Sequence, residues 1–157
     1  MIQSIEYWQR DLAKVAHKLL MRVIQRQWRE ASYYLLEKEL FTGFFAARKL
    51  LECGDFKDSC HNKKYKVIEL PFSNKELRSE KEQQIAIEKG KAVGLTAREL
   101  SNQFIHSYYF TPVSLDGILI GFVISSDFKR KSGIYFITTF EVVELFKNVA
   151  GKNGVSD

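Results

Sequence analysis

The sequence predicts an α+β domain: an N-terminal helical hairpin, a central capped helix, a small antiparallel sheet holding a C-terminal hairpin, and a final helix. Three observations predict it. Apolar residues recur at intervals of three and four from Ile5 to Leu51, the signature of amphipathic helices. Thr96 and Glu99 have the spacing of a capping box that opens a helix midway along the chain. The run from Ile118 to Ile124 (ILIGFVI) has the length of a buried strand, and a turn and a second apolar run follow it.

In the first helix Ile5, Trp8, Leu12, Val15, Ala16, Leu19 and Val23 form the apolar stripe, with Ser4 as its expected N-cap. The pattern blurs from Gln25 to Ser32 without a Gly or Pro. It resumes with Tyr33, Leu36, Leu40, Phe44, Ala47 and Leu51 on one side of a second helix, where Gly54 is the expected C-terminal stop. An antiparallel pair is expected, with one continuous bent helix as the alternative. Tyr65 to Phe72 (YKVIELPF) alternates as a short strand, and Pro71 places it at an edge or an end. Residues 73–94 are charged, with a short helix expected from Ser79 to Lys89.

The capped helix is expected to run from Ala97 to Tyr109 and to stop before Pro112, with Leu95 and Leu100 placed as a hydrophobic staple. Gly117 to Ser126 and Ile134 to Thr138 read as a hairpin around a turn that contains Lys129, Arg130 and Lys131. The last helix begins at Thr138 with Glu141 three residues on, and ends before Gly151. Residues 1–150 are therefore read as a single domain and 151–157 as a tail.

No apolar run is long enough to span a bilayer, and the charged N-terminus lacks the apolar core of a signal peptide. The expectation is a cytoplasmic protein without a membrane partner, in which Cys53 and Cys60 are free thiols. Those cysteines, with His61, Asp55 and Asp58, lack the paired spacing of a structural zinc site, so no metal is assigned. No Gly-rich phosphate loop or nucleophile elbow occurs, so no cofactor is assigned, and kinases, dinucleotide-binding domains and serine hydrolases are disfavoured.

The net charge of +5 permits a polyanionic partner. Arg10, Lys14, Lys18, Arg22 and Arg26 follow at intervals of four, and Arg29 three later. Such a row could track a phosphate backbone, with Lys129, Arg130 and Lys131 extending it if the fold brings them near. A solvated helix face has the same appearance.

Within the capped helix, Arg98, Asn102 and His106 are spaced i, i+4, i+8 and project from one side. The helix would face the core through Leu100, Phe104 and Tyr108. A histidine titrates near neutrality and suits proton transfer, an arginine stabilises phosphorane-like charge, and an asparagine orients either. Together they suit metal-independent RNA cleavage with the substrate's own 2′-hydroxyl as nucleophile. Arg48, at the end of the apolar FFAA stretch of the second helix, is the candidate to supply a guanidinium from elsewhere; Glu37, Glu39, Lys49 and Glu52 are the other charges there. The competing reading of His106 is a satisfied core histidine.

The run Leu100-Ser101-Asn102-Gln103-Phe104-Ile105-His106 resembles the signature helix of the HEPN superfamily (higher eukaryotes and prokaryotes nucleotide-binding). Asn102 and His106 match its polar residue and its histidine, whereas Ser101 stands where the motif has arginine. The segments LLEKELFTGFFAARKLLE, SNQFIHSYYF and GFVISSDFKR also look similar to a group of bacterial proteins to which no activity attaches. The HEPN resemblance implies a mostly helical, homodimeric RNase of a toxin or defence system, or an inactive RNA-binding relative. A non-enzymatic protein-interaction or immunity-type module is the alternative.

Overall fold

The amphipathic spacing of the first fifty-odd residues becomes two helices that bury their stripes on each other and on a sheet. In the computed structural model, which describes residues 4–53, 58–71, 77–127 and 132–151, α1 (Ile5–Val23) buries Leu12, Ala16 and Leu19. Helix α2 (Glu30–Cys53) buries Leu36, Leu40, Phe44, Ala47, Leu50 and Leu51. Tyr33 is not on the buried side; it is exposed and packs at a tilt against Trp28. Ser4 does not cap α1 with its side chain: its backbone is left-handed (φ 67°), and its carbonyl accepts from Tyr7 N–H at 3.0 Å. The helices are separate, with no Gly or Pro at the break. The Trp28 indole donates to the Gln25 carbonyl (3.0 Å), and Ser32 Oγ accepts from Arg29 N–H (3.2 Å), so side chains take over backbone groups that a continuous helix would use. Arg22 meets Glu39 while Trp8 meets Phe45, so the two helices run antiparallel. Gly54 lies outside the described residues.

The remaining elements are α3 (Asp58–Asn62), β1 (Lys64–Glu69), α4 (Glu80–Glu88), β2 (Lys91–Thr96), α5 (Ala97–Ile105), β3 (Tyr109–Leu115), β4 (Ile118–Ser125), β5 (Ile134–Thr138) and α6 (Thr139–Ala150). The strands form one antiparallel sheet in the order β2-β1-β5-β4-β3. Among the described residues the protein is therefore an α+β fold with six helices and five strands. One sheet face packs on α1, α2, α5 and α6 through Tyr65, Val67, Phe122, Ile124 and Ile137. The other face holds Leu70, Val113, Val123, Ile134 and Phe136 beneath Ala86 and Ile87 of α4. Strand β4 is buried on both faces, which explains its unbroken apolar run. A bulge opposite Val113 and Ser114 reverses its alternation, so Leu119 and Phe122 face the same core.

Three sequence expectations change. The strand β2 occupies part of the segment read as charged and irregular; it is an edge strand exposing Lys91, Ala92 and Gly94, so it shows little alternation. Of the two places offered for Pro71, an edge or an end, the structure gives the end: β1 is paired on both sides and stops at Glu69, so only its extent, shorter than the expected 65–72, changes. Helix α5 stops at Ile105, four residues before the expected end, where Ser107 Oγ donates to the Phe104 carbonyl at 2.9 Å. Pro112 is then a residue of β3, paired with Phe122 at the open edge of the sheet, where a missing N–H disrupts no second ladder. Asp116 and Gly117, both at positive φ (51° and 78°), make the tight β3–β4 turn.

The helix starts follow the sequence closely. Capping boxes open α4 at Ser79/Glu82 and α5 at Thr96/Glu99. Thr138 accepts from Glu141 N–H at the start of α6, but the Glu141 carboxylate accepts from Lys66 N–H instead of closing the box. No helix of the described residues is long and apolar enough to cross a membrane.

Candidate functional site

Two phenylalanines set the register on which the site depends. Phe44 of α2 and Phe104 of α5 are fully buried and stacked, with ring centroids 3.9 Å apart. One turn beyond Phe44 on α2 comes Arg48. On α5, Phe104 lies between Asn102 and His106, which faces the same side of the chain as it leaves the helix. The stack therefore brings Arg48 to the polar side of α5, and Arg48 Nη1 donates to Asn102 Oδ1. Arg48 Nε also donates to Glu52 Oε1 at 2.9 Å, one turn along α2. Two acceptors on different helices thus hold the guanidinium and leave further N–H groups to a ligand.

His106 is exposed at the C-terminal cap of α5, where its backbone N–H donates to the Asn102 carbonyl at 3.0 Å. It lines an open cleft of about 290 Å³ with Phe45, Arg48, Lys49, Glu52 and Ile105. The core-histidine reading does not hold. The Arg48 hydrogen bond, above all, holds the Glu52 carboxyl below its ordinary range, and the charges of Arg48, Lys49 and Arg98 act in the same direction. Lys49 Nζ lies 3.9 Å from the same carboxylate. Among the described residues Glu52 is thus the one acid that lines the cleft, beside two cations and an imidazole, and it is already engaged by both cations.

Each sequence-assigned residue among the described ones has a definite place. Arg48, Asn102 and His106 come together; Arg98 is exposed on α5, close enough to act on Glu52 electrostatically. Ser101, where the resembled motif has arginine, is fully buried and donates from Oγ to the Ala97 carbonyl at 2.7 Å. An arginine there would point into the core; the guanidinium that bonds Asn102 comes instead from Arg48 of α2. Tyr108, expected to face the core, is 72% exposed because the helix ends before it.

The basic band breaks up. Each step of four residues turns the band by roughly 40° around the helix. By Arg22 it has rotated onto α2, where Arg22 donates to both Glu39 carboxylate oxygens (2.9 and 3.3 Å) in a largely buried pair. Lys14 lies 3.7 Å from Asp11, and Arg10 lies over the Tyr7 ring. Arg10, Lys14 and Lys18 stay exposed on α1, whereas Arg26 and Arg29 are exposed in the connection after the helix. Lys129, Arg130 and Lys131 lie outside the described residues.

Cys53 is exposed and Cys60 half-buried, both as free thiols, and burial pushes the Cys60 thiol up. Among the described residues no group of three His, Cys, Asp or Glu side chains could hold a metal ion; Asp55 lies outside them. Sequence reasoning missed Phe45. The available signal was an aromatic side chain next to the buried Phe44 but off the stripe that runs through Leu36, Leu40 and Phe44. No family model matches the chain, and neither a curated protein nor a solved structure is significantly similar to it.

Proposed function

We propose that this chain is an RNA-directed protein whose α2–α5 cleft cleaves phosphodiester bonds without a metal, in the toxin or defence setting that the resemblance of its α5 segment implies. The observation that supports this most is the pairing of an anchored guanidinium, Arg48, with an exposed imidazole, His106, in one open cleft.

In this reading the substrate's 2′-oxygen attacks the adjacent phosphorus as the bond to the 5′-oxygen breaks, leaving a 2′,3′-cyclic phosphate and a 5′-hydroxyl. The His106 imidazolium supplies the proton that the departing 5′-oxygen needs, and water takes the proton of the 2′-hydroxyl. The Arg48 N–H groups not used by Asn102 and Glu52 meet the charge that accumulates on the non-bridging oxygens. Asn102 and Glu52 fix the guanidinium beforehand, so little ordering is left to do when substrate binds. Arg98 and Lys49 add positive potential at the rim. The proposal rests on these side chains; the five-stranded sheet is unlike the mostly helical domain that the resemblance implies.

The test is cleavage of RNA by purified protein in the presence of a metal chelator. His106→Ala should lower the rate by about 10²–10⁴-fold. Arg48→Ala should lower it by about 10²–10³-fold, as removal of a donor to a developing oxyanion does. Wild-type protein that leaves RNA intact, or a His106→Ala variant that cuts equally well, would defeat the proposal. A second reading, a non-enzymatic docking module, is favoured by the exposed Tyr34 and Phe45 on α2, 61% and 45% accessible. It becomes the better account if neither variant changes an RNA-dependent signal.

A further inference from the structure

Phe45 lies in the cleft with no role in the chemistry just described. Its neighbour Phe44 is in the core, but Phe45 is 45% exposed and lines the cleft with Arg48, Lys49 and His106. Trp8 packs against it on one side (centroids 6.2 Å apart, planes 51° apart), which limits the orientations open to the ring. The Lys49 ammonium lies over the ring, 5.7 Å from its centroid, so the electron-rich face of the half-exposed ring already holds a mobile cation. A half-exposed aromatic ring backed by another aromatic and bordered by cations is the combination with which proteins hold an unpaired base beside its phosphate. Each base has a π face, so stacking needs no particular sequence, and the cations take the phosphate one bond system away.

We infer that Phe45 is a stacking platform for a nucleobase and that the cleft therefore takes unpaired RNA in preference to duplex. The inference rests on the RNA-directed reading and specifies its substrate class. In a duplex both faces of a base are covered by its neighbours, so the Phe45 ring has nothing to stack on unless the helix is opened. A single strand can turn one base onto Phe45 while its phosphate reaches Arg48. The Lys49 ammonium would move off the ring to the phosphate, exchanging one electrostatic partner for a stronger one.

The experiment measures binding of fluorescein-labelled poly(U) and of poly(A)·poly(U) duplex by anisotropy, with cleavage suppressed by His106→Ala. Phe45→Leu keeps apolar packing against Trp8 but removes the π face, and Phe45→Tyr keeps both. The expected result is tighter binding of poly(U) than of duplex, a loss of about fivefold or more in Phe45→Leu, and retention in Phe45→Tyr. If Phe45→Leu binds poly(U) unchanged while Arg48→Ala does not, the platform is overturned and the RNA-directed reading survives. Duplex bound as tightly as single strand also overturns it. If neither RNA binds, both readings fall together.

Discussion

Arg48 of α2 donates a hydrogen bond to the side-chain oxygen of Asn102 on α5, joining positions 54 residues apart at the rim of the cleft. The bond is partly buried and charge-assisted, a kind worth more than a neutral surface contact. Replacing Asn102 with Ala should cost about 1 kcal/mol of stability, because Glu52 still holds the guanidinium on its other side. A double-mutant cycle of Arg48→Ala and Asn102→Ala in urea unfolding should show a coupling of about 1 kcal/mol. A coupling of zero would mean that the contact contributes nothing to the fold.

Ser101 tests where the guanidinium can come from. A Ser101→Arg variant creates the arginine of the resembled motif, but at a position with no solvent access. It should lose about 3 kcal/mol or more of stability through an uncompensated buried charge and gain no cleavage activity. Thermal melting and the cleavage assay on one preparation check both halves. A stable and more active variant would show that α5 can rotate to expose this position.

The spacing of the basic residues places Arg22 in a phosphate-binding row, whereas the fold gives it a protein partner. Its side chain is 17% exposed and that of Glu39 14%, and two hydrogen bonds join them. Glu39→Ala removes the charged partner of the guanidinium, leaving it only the Gln25 Oε1 acceptor (2.7 Å), and should destabilise the protein by about 1–3 kcal/mol. By contrast, Arg22→Gln should leave the salt dependence of RNA binding unchanged, whereas Lys18→Gln should reduce the slope by about one. Equal slopes for the two variants would return Arg22 to the binding face.

Gly43 is where α2 approaches α6. A methyl group there would lie 2.5 Å from Phe146 Cε2 and 3.1 Å from Val15 Cγ1. Gly43→Ala gains about 1 kcal/mol of helix propensity but loses about 1–3 kcal/mol to overpacking, so it should be neutral to destabilising. Gly43→Val adds further volume without the propensity gain and should melt well below the wild type. A stabilised Gly43→Val protein would show that the Phe146 ring has room to move.

Acid sensitivity should come partly from helix ends. The Thr96 backbone N–H, the largest cause, holds the Glu99 carboxyl below its ordinary 4.5, with the Thr96 hydroxyl and Lys64 adding to it. The Lys63 hydrogen bond does the same to Glu144, and Glu144 in turn raises Lys63 above its ordinary 10.5. A lowered carboxyl contributes stability that is present above 4.5 and lost as pH falls through the folded value. The raised lysine contributes below 10.5 and loses its contribution as pH rises past the folded value. Glu99→Gln should cost about 0.5 kcal/mol near neutral pH, because the carboxylate is half exposed, and should flatten the loss of melting temperature on the acid side of 4.5. An unchanged acid limb would remove Glu99 as a contributor.

How much was legible along the chain depended on the range of the signal. The box at Thr96/Glu99 was legible because a cap is satisfied within four residues. The end of α5 was not, because Pro112 stops a helix and sits equally well in an edge strand, and only pairing with Phe122 distinguishes the two. Strand β2 was hidden for a related reason: an edge strand with an exposed outer side has no need of an alternating sequence.

From its residues alone this chain determined an α+β domain, its amphipathic helices, its main hairpin and the placing of Asn102 and His106 on one side of the capped helix, all consequences of contacts within a few residues; that His106 is exposed was decided by the fold. The tertiary structure decided which arginine serves that side, that Ser101 is closed to it, and that Arg22 is spent on Glu39. The stack of Phe44 on Phe104 sets the register of α2 against α5. No local spacing encodes such a register, because it depends on how two distant apolar faces fill one core.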